Sequence, residues 1–265
     1  MSRITIGQFY PVDSCIHNLD PRIKIAGTFM YITFLMFVNH FAGHGAAALL
    51  LAVVVGLSKV PPLLLFRGLR AVLFILIVVA LTNLFMSGGE TVLLEFWVIT
   101  LTQEGIIRAT QMALRLVLLI SGSSVLTLTT SPIELTDGIE ALLKPLKKIK
   151  VPAHDIAMMM TIALRFIPTL ADEADKIIKA QKARGADFDT GGLIKKAKNL
   201  LPILIPLFIS AFKRADELAT AMEARCYRGD VGRTKLKQMK LRGKDAVALL
   251  VICLFGAVVF ATRLL

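Results

Sequence analysis

The chain has 265 residues, of which 55% are hydrophobic, and its formal net charge is +12. A mean hydropathy of +0.70, together with this excess of basic residues, excludes an ordinary soluble domain and is typical of a multi-pass membrane protein. The three cysteines are scattered and have no CxxC spacing, which argues against a disulfide framework and a cysteine-based zinc site.

Five apolar stretches predict membrane-spanning helices. They cover residues 25–41, 46–57, 69–86, 105–130 and 246–261. The second stretch is the shortest, so we expect either that it is tilted little or that the run from Leu63 to Phe66 after it lies at the membrane interface. Residues 90–101 are too few to cross a bilayer and include Trp97. We therefore expect an interfacial or re-entrant piece between the third and fourth spans.

Basic residues are concentrated in one part of the chain. Of the 31 lysines and arginines, eight precede Lys144, one follows Lys244, and 22 lie from Lys144 to Lys244. Cytoplasmic segments of membrane proteins carry such an excess of positive charge, which also attracts anionic lipid headgroups. We therefore expect a cell-membrane protein with its N-terminus and basic region in the cytoplasm. We expect this basic charge to face the lipid bilayer and not to bind nucleic acid.

The region between the fourth and fifth spans has no apolar run long enough to cross a membrane. It opens with Ser131-Pro132, a serine cap followed by proline at the first helical position. The sequence predicts an all-α polytopic protein with about five transmembrane helices. Residues 1–130 form a four-helix membrane domain, residues 131–243 form cytoplasmic coupling helices, and residues 244–265 form the last transmembrane helix.

Two segments of the cytoplasmic region follow one plan. Each starts apolar and proline-containing, becomes a polar amphipathic helix, and ends in an Ala-Arg pair, in Ala183-Arg184-Gly185 and in Ala224-Arg225-Cys226. Helical spacing places apolar residues on two stripes: Met159, Ile162, Phe166, Leu170, Ala174, Ile177 and Ile178 on the first helix, and Leu207, Ala211, Ala215, Leu218 and Met222 on the second. We expect two long helices that cross face to face.

An arginine at each helix end suits an oriented contact with a partner. The planar guanidinium stays charged and binds a carboxylate through two hydrogen bonds. The neighbouring alanines keep each tip thin, and Gly185 suits the left-handed turn that ends a helix. A basic residue favoured by the helix dipole explains either tip alone equally well. The doubled arrangement favours a mechanical coupling role.

The sequence contains no recognisable catalytic centre. It lacks the GxSxG, P-loop and HExxH motifs, so we expect a non-catalytic protein without a cofactor. His40 and His44 are four residues apart and would share a metal only on a helix. The glycines beside them and the lack of a third ligand favour solvated loop histidines instead.

Two arginines, Arg108 and Arg115, lie on one face of the fourth predicted span. A charged residue inside a membrane span is a functional candidate by default. We favour ion pairs with the carboxylates that are nearby in the sequence, Glu90, Glu95 and Glu104.

Four short motifs carry a family resemblance. They are Leu19-Asp20-Pro21-Arg22-x-Lys24, the Leu-Arg-Phe-Ile-Pro stretch that ends at Pro168, Ala183-Arg184-Gly185, and Met222-Glu223-Ala224-Arg225. With them, the chain resembles the transmembrane T component of energy-coupling factor transporters over essentially its whole length.

The resemblance implies the membrane scaffold of an ABC-type importer of vitamins or transition metals. This scaffold joins two cytoplasmic ATPases to a small membrane protein, the S component, which captures the substrate. Arg184 and Arg225 would then contact one ATPase each, and the crossed helices would transmit ATPase closure. The family pattern has glycine where this chain has Cys226, so we expect a different turn there, with Gly229 reversing the chain.

An alternative interpretation keeps the membrane anchor and changes the partner. The basic region would belong to a membrane-embedded receptor or enzyme and bind the phosphate groups of lipids. Binding would then depend on Lys147-Lys148 and on Lys195, Lys196 and Lys198, and not on the two arginine tips.

Overall fold

The computed structural model describes residues 9–86, 91–96, 99–149, 152–186, 188, 192–229 and 241–264. Most of these residues are helical, which confirms the predicted all-α fold class. The helices are α1 (Pro21–Met36), α2 (Phe41–Ser58), α3 (Pro62–Met86), α4 (Gln103–Thr129), α5 (Pro132–Leu143), a 3₁₀ helix (Lys144–Ile149), α6 (Ala153–Ala183), α7 (Leu193–Ala224) and α8 (Gly243–Leu264).

A short β-hairpin is the exception to the helical architecture. Strands β1 (Val92–Phe96) and β2 (Ile99–Thr102) pair antiparallel, with Val92 opposite Thr102 and Phe96 opposite Ile99. The hairpin occupies the stretch that was predicted to be interfacial or re-entrant, and Trp97 itself lies outside the described residues. Valine, isoleucine, threonine and phenylalanine are frequent in this stretch, and all four favour strands.

The elements fall into two units. The membrane unit contains α1 to α5, the hairpin and α8, whereas the coupling unit contains the 3₁₀ helix, α6 and α7. Among the described residues, four helices are long and apolar enough to cross a membrane, namely α2, α3, α4 and α8. These four confirm the second to fifth predicted spans. Helix α1 has 16 residues, or about 24 Å, and packs against α4 and α8.

Helix α3 begins earlier than predicted. Its first residue is Pro62, where proline is favoured because the first helical position needs no N–H donor. The run from Leu63 to Phe66 is therefore the first turn of this helix and not a separate interfacial segment. Leu65 in that turn is buried with Val125 and Leu128 of α4.

The core of the membrane unit lies where α1, α2, α4 and α8 meet. It consists of Tyr31, Leu35, Val38, Ala47, Leu118, Phe255 and Val259. The rings of Tyr31 and Phe255 stack with centroids 5.7 Å apart. A Cβ added to Gly122 of α4 would lie 2.5 Å from the Tyr31 ring. Gly122 therefore sets how closely α1 approaches α4, as small residues do between membrane helices.

A polar cluster fastens three helix ends of the membrane unit together. The Asp245 carboxylate of α8 accepts a hydrogen bond from the Asp20 backbone N–H at 2.8 Å. The buried Lys24 ammonium donates to the backbone carbonyls of His17 at 2.8 Å and Thr129 at 3.0 Å. The Asp-Pro-Arg-x-Lys motif thus joins the start of α1 to the end of α4 and the start of α8. We call this side of the membrane unit the basic end.

The coupling unit is built from two long helices. Helices α6 and α7 have 31 and 32 residues, so each is about 46–48 Å long if straight. Pro168 lies inside α6, and Pro202 and Pro206 lie inside α7; proline in a helix interior produces a bend. The prediction of two long, proline-containing helices in this region is confirmed.

Candidate coupling site

Helix α6 ends in a Schellman turn at Arg184 and Gly185. The N–H of Gly185 donates to the Lys182 carbonyl at 3.0 Å, and the N–H of Ala186 donates to the Gln181 carbonyl at 3.0 Å. Gly185 has a φ of +87°, which glycine adopts without the steric cost that a Cβ imposes. The turn satisfies the last carbonyls of the helix, as the sequence predicted.

Helix α7 ends in the same turn although its central residue is not glycine. The N–H of Cys226 donates to the Glu223 carbonyl at 2.8 Å, and the N–H of Tyr227 donates to the Met222 carbonyl at 3.0 Å. Cys226 itself has a φ of +55°. The expectation of a different turn is therefore wrong, because Cys226 takes the left-handed conformation that glycine takes in the first turn. Gly229 is left-handed as well, with a φ of +73°.

All six residues of the two tips are exposed: Ala183, Arg184, Gly185, Ala224, Arg225 and Cys226. Neither arginine forms an ion pair with any residue of the described part of the chain. Both guanidinium groups are therefore available to an external carboxylate.

The two tips lie at opposite ends of the helix pair. Tyr227, two residues beyond Arg225, has its hydroxyl 3.4 Å from His154 Nε2 and donates to Met158 Sδ at 2.9 Å. Both partners lie in the first turns of α6, whereas Arg184 caps the end of the same helix. From the length of α6, the two arginines are on the order of 40 Å apart.

A second contact joins the helices further along α6. Arg214 Nη2 of α7 donates to Glu173 Oε2 of α6 at 3.0 Å, and Ser210 also hydrogen-bonds to this carboxylate. The hydrogen bond with Ser210 is the largest cause of a lowered pKa of Glu173; desolvation opposes it, and the hydrogen bond and charge of Arg214 add to the lowering. Contacts at Glu173 and His154, about 28 Å apart along α6, show that the two helices run antiparallel.

The predicted apolar stripes largely face inward. The half-buried members are Ile162, Phe166, Leu170, Ala174, Ile177 and Ile178 of α6, and Leu207, Ala211, Leu218 and Met222 of α7. Met159 and Ala215 are exposed, so their assignment to the stripes is wrong. Buried Ile203 and half-buried Arg214 extend the α7 stripe instead. Arg214 can occupy a position on this inward face because the Glu173 carboxylate neutralises its charge.

The first half of α7 also carries an exposed apolar surface. It consists of Leu200, Leu201, Leu204, Ile205, Phe208, Ile209 and Phe212, and we call it the apolar α7 surface. The rings of Phe208 and Phe212 stack with centroids 6.5 Å apart. A contiguous exposed patch of this kind is typical of a surface that contacts protein or membrane.

The histidines of the membrane unit do not form a metal site. His44 is buried in α2 and not in a loop, and its Nδ1 lies 3.0 Å from the His40 carbonyl. The interpretation of His44 as a solvated loop residue is therefore wrong, because α2 begins at Phe41 despite the neighbouring glycines. Within the described residues, no group of three or more histidine, cysteine or acidic side chains is placed to hold a metal ion.

The two arginines of α4 differ in their surroundings. Arg108 interacts electrostatically with Glu104, one turn away. Arg115 instead donates from Nη2 to the Val38 carbonyl at the end of α1. Among the described residues Arg115 has this backbone acceptor and no ion pair with Glu104, whereas Glu90 and the Glu95 side chain lie outside the described residues.

Three residues of the coupling unit were missed by sequence analysis. Glu173, Arg214 and Tyr227 make the contacts between α6 and α7, yet each resembles an ordinary surface residue. The available signal for Arg214 is its spacing, four residues before Leu218 on the predicted stripe. The sequence contains no comparable signal for Tyr227, because its partners are about 70 residues away.

These features define a class of protein, a polytopic α-helical membrane protein that carries a pair of long helices with exposed arginine tips. The family model described as "CbiQ: Cobalt transport protein" matches residues 13–236. A protein of Clostridium kluyveri is 56% identical over 95% of both chains. One of Ruminiclostridium cellulolyticum is 55% identical over 92% of this chain and 91% of its own. A protein of Acidaminococcus fermentans is 50% identical over 98% of this chain and 97% of its own.

Each of these three relatives is named energy-coupling factor transporter transmembrane protein EcfT. The chain therefore belongs to the EcfT family of transporter transmembrane components, as its motifs indicated.

Proposed function

We propose that this chain is the non-catalytic energy-coupling subunit of an importer. Two cytoplasmic ABC-type ATPases hydrolyse ATP, and this subunit passes their movement to an S component that captures a vitamin or other micronutrient. The observation that carries the proposal is the pair of matching helix ends, each of which presents one exposed, unpaired arginine in the same Schellman turn.

Arg184 and Arg225 each insert into a groove on one ATPase and bind a carboxylate there. A separation on the order of 40 Å suits two contacts on two separate subunits better than two contacts on one small site. The antiparallel helices are linked at Glu173 and at Tyr227, so movement of one tip is passed along the pair. Tilting of this pair is the coupling step.

The apolar α7 surface contacts the S component inside or beside the membrane. Its leucine, isoleucine and phenylalanine side chains offer apolar area without a charged residue from Leu200 to Phe212, which favours an apolar partner. Exposed Met159 of α6 adds an adaptable side chain. Substrate selection then belongs to the partner.

The orientation follows from charge. The coupling region, residues 131–243, lies in the cytoplasm with the N-terminus, because 22 of the 31 basic residues lie from Lys144 to Lys244. Residues 1–130 and 244–265 form the membrane anchor, and the C-terminus lies outside.

The test uses the full chain co-expressed with its ATPases and S component. The double variant Arg184→Ala/Arg225→Ala should insert normally, lose the co-purifying ATPases and lose uptake, because removing one partner of a buried, hydrogen-bonded charge pair costs about 2–5 kcal/mol. The matched control is Arg165→Ala/Arg228→Ala, which removes two exposed arginines of the same unit. This control should retain both the co-purifying ATPases and uptake. Normal uptake by the first variant at normal expression would refute the proposal.

A further inference from the structure

An apolar groove runs along the membrane unit between α1, α2, α4 and α8. Its volume is about 620 Å³. Val53 and Leu57 of α2 and Val247 of α8 line it and are exposed, so the groove is open along its side. Because α2 and α8, which border the opening, are long and apolar enough to cross a membrane, the side opening faces the hydrocarbon chains of the lipids.

The groove extends from the basic end to about the middle of the membrane unit. Its helical lining residues run from Ile23 to Tyr31 on α1, from Leu57 back to Leu50 on α2, from Thr129 back to Gly122 on α4, and from Gly243 to Ile252 on α8. Eight to ten residues of helix correspond to about 12–15 Å. One leaflet contributes about 15 Å of the roughly 30 Å hydrocarbon core. The groove therefore matches the depth of a single leaflet.

The charges of the lining lie only at the basic end. Lys244 is exposed at the rim and forms no ion pair with a described residue. Lys24 lines the same end; its ammonium has three donors, and two of them bind the His17 and Thr129 carbonyls. The nearby Asp20 and Asp245 carboxylates accept backbone hydrogen bonds. A negatively charged lipid headgroup at the basic end would give the Lys244 ammonium an anionic partner.

We propose that the groove binds an acyl chain of an anionic phospholipid from the leaflet at the basic end, with its phosphate at Lys244. The apolar walls accept the chain, the depth matches one leaflet, and the lysine ammonium attracts the phosphate. Occupation of the groove fills the space between four helices of the membrane unit and holds their basic ends together. This site is independent of the arginine tips.

The experiment uses the purified full chain in detergent, washed free of lipid and then offered phosphatidylglycerol or phosphatidylcholine with identical acyl chains. Native mass spectrometry counts the lipid retained by each chain. We expect one phosphatidylglycerol to be retained in preference to phosphatidylcholine. Val53→Trp should abolish retention by filling the groove, and Lys244→Gln should reduce the headgroup preference about fivefold.

The controls make the same changes outside the groove. Val78→Trp alters a valine of α3 that is 45% exposed, against 49% for Val53, and Arg67→Gln removes an exposed charge at the start of α3. Both should retain lipid as the native chain does. If Val53→Trp is not monodisperse, Val247→Trp fills the same groove from α8. Equal retention by the groove-filling and control variants, or equal binding of both lipids, would overturn the proposal.

Discussion

Gly185 and Cys226 occupy the same position in two equivalent turns. Each donates its N–H to the carbonyl three residues earlier, and each has a positive φ, +87° for Gly185 and +55° for Cys226. A left-handed conformation costs a residue with a Cβ roughly 1–2 kcal/mol relative to glycine. The second tip therefore keeps the geometry of the first while carrying backbone strain.

Replacing Cys226 with glycine should stabilise the coupling unit. We expect a gain of about 1 kcal/mol, which raises the melting temperature of the purified chain by about 2–4 °C. The opposite sign is expected for Cys253→Gly, because Cys253 lies inside α8, where glycine is unfavourable. Thermal unfolding in detergent measures both, and a lower melting temperature for Cys226→Gly would contradict the assignment of strain.

Local chemistry decided which features could be predicted from the sequence. The serine cap at Ser131 and the left-handed Gly185 depend on residues within one helical turn, and both are present as expected. Contacts that depend on packing were not predictable: Tyr227 meets His154 across 73 residues, and Arg115 meets Val38 across 77. The hairpin at residues 92–102 was missed because short apolar runs do not distinguish strand from helix.

Acid should weaken the link between α6 and α7. The pKa of Glu173 is lowered by its hydrogen bonds with Ser210 and Arg214 and by the arginine charge. The stabilisation is therefore complete above the ordinary glutamate pKa and is lost as the pH falls through the lowered value. Melting temperatures of the native chain and Glu173→Gln should differ near pH 7 and converge once the pH is below the lowered pKa. Glu217→Gln, at an exposed position of α7, is the control, and a difference that persists in acid would refute this role.

Removing the Tyr227 hydroxyl should loosen the Arg225 tip without unfolding the chain. Tyr227→Phe keeps the ring and deletes the contacts with His154 and Met158, a loss of about 0.5–1.5 kcal/mol. We expect amide hydrogen exchange to increase in the first turns of α6 and the last turn of α7, while exchange near Arg184 stays unchanged. Tyr10→Phe in the membrane unit controls for the substitution itself. Unchanged exchange at both places would show that the contact does not hold the tip.

Lys24 should be essential to the basic end of the membrane unit. Lys24→Met keeps the length of the side chain but leaves the His17 and Thr129 carbonyls without their buried donor. We expect a loss of about 1–3 kcal/mol, measured as a lower melting temperature. The control is Arg70→Met, at an exposed position near the start of α3, which should change the melting temperature little. Equal stability of the two variants would mean that water replaces the ammonium at both carbonyls.

The positions of the two tips predict a long distance between them. Spin labels at Arg184→Cys and Arg225→Cys, in a chain whose native cysteines are replaced, should give a distance on the order of 40 Å by pulsed electron resonance, because α6 separates the tips by about 30 residues of helix. The distribution should be narrow, since the contacts at Glu173 and Tyr227 hold the helices together. Tyr227→Phe should broaden it, because it releases one of the two contacts. A main distance below about 25 Å would mean that the tips meet, and one partner surface would then contact both arginines.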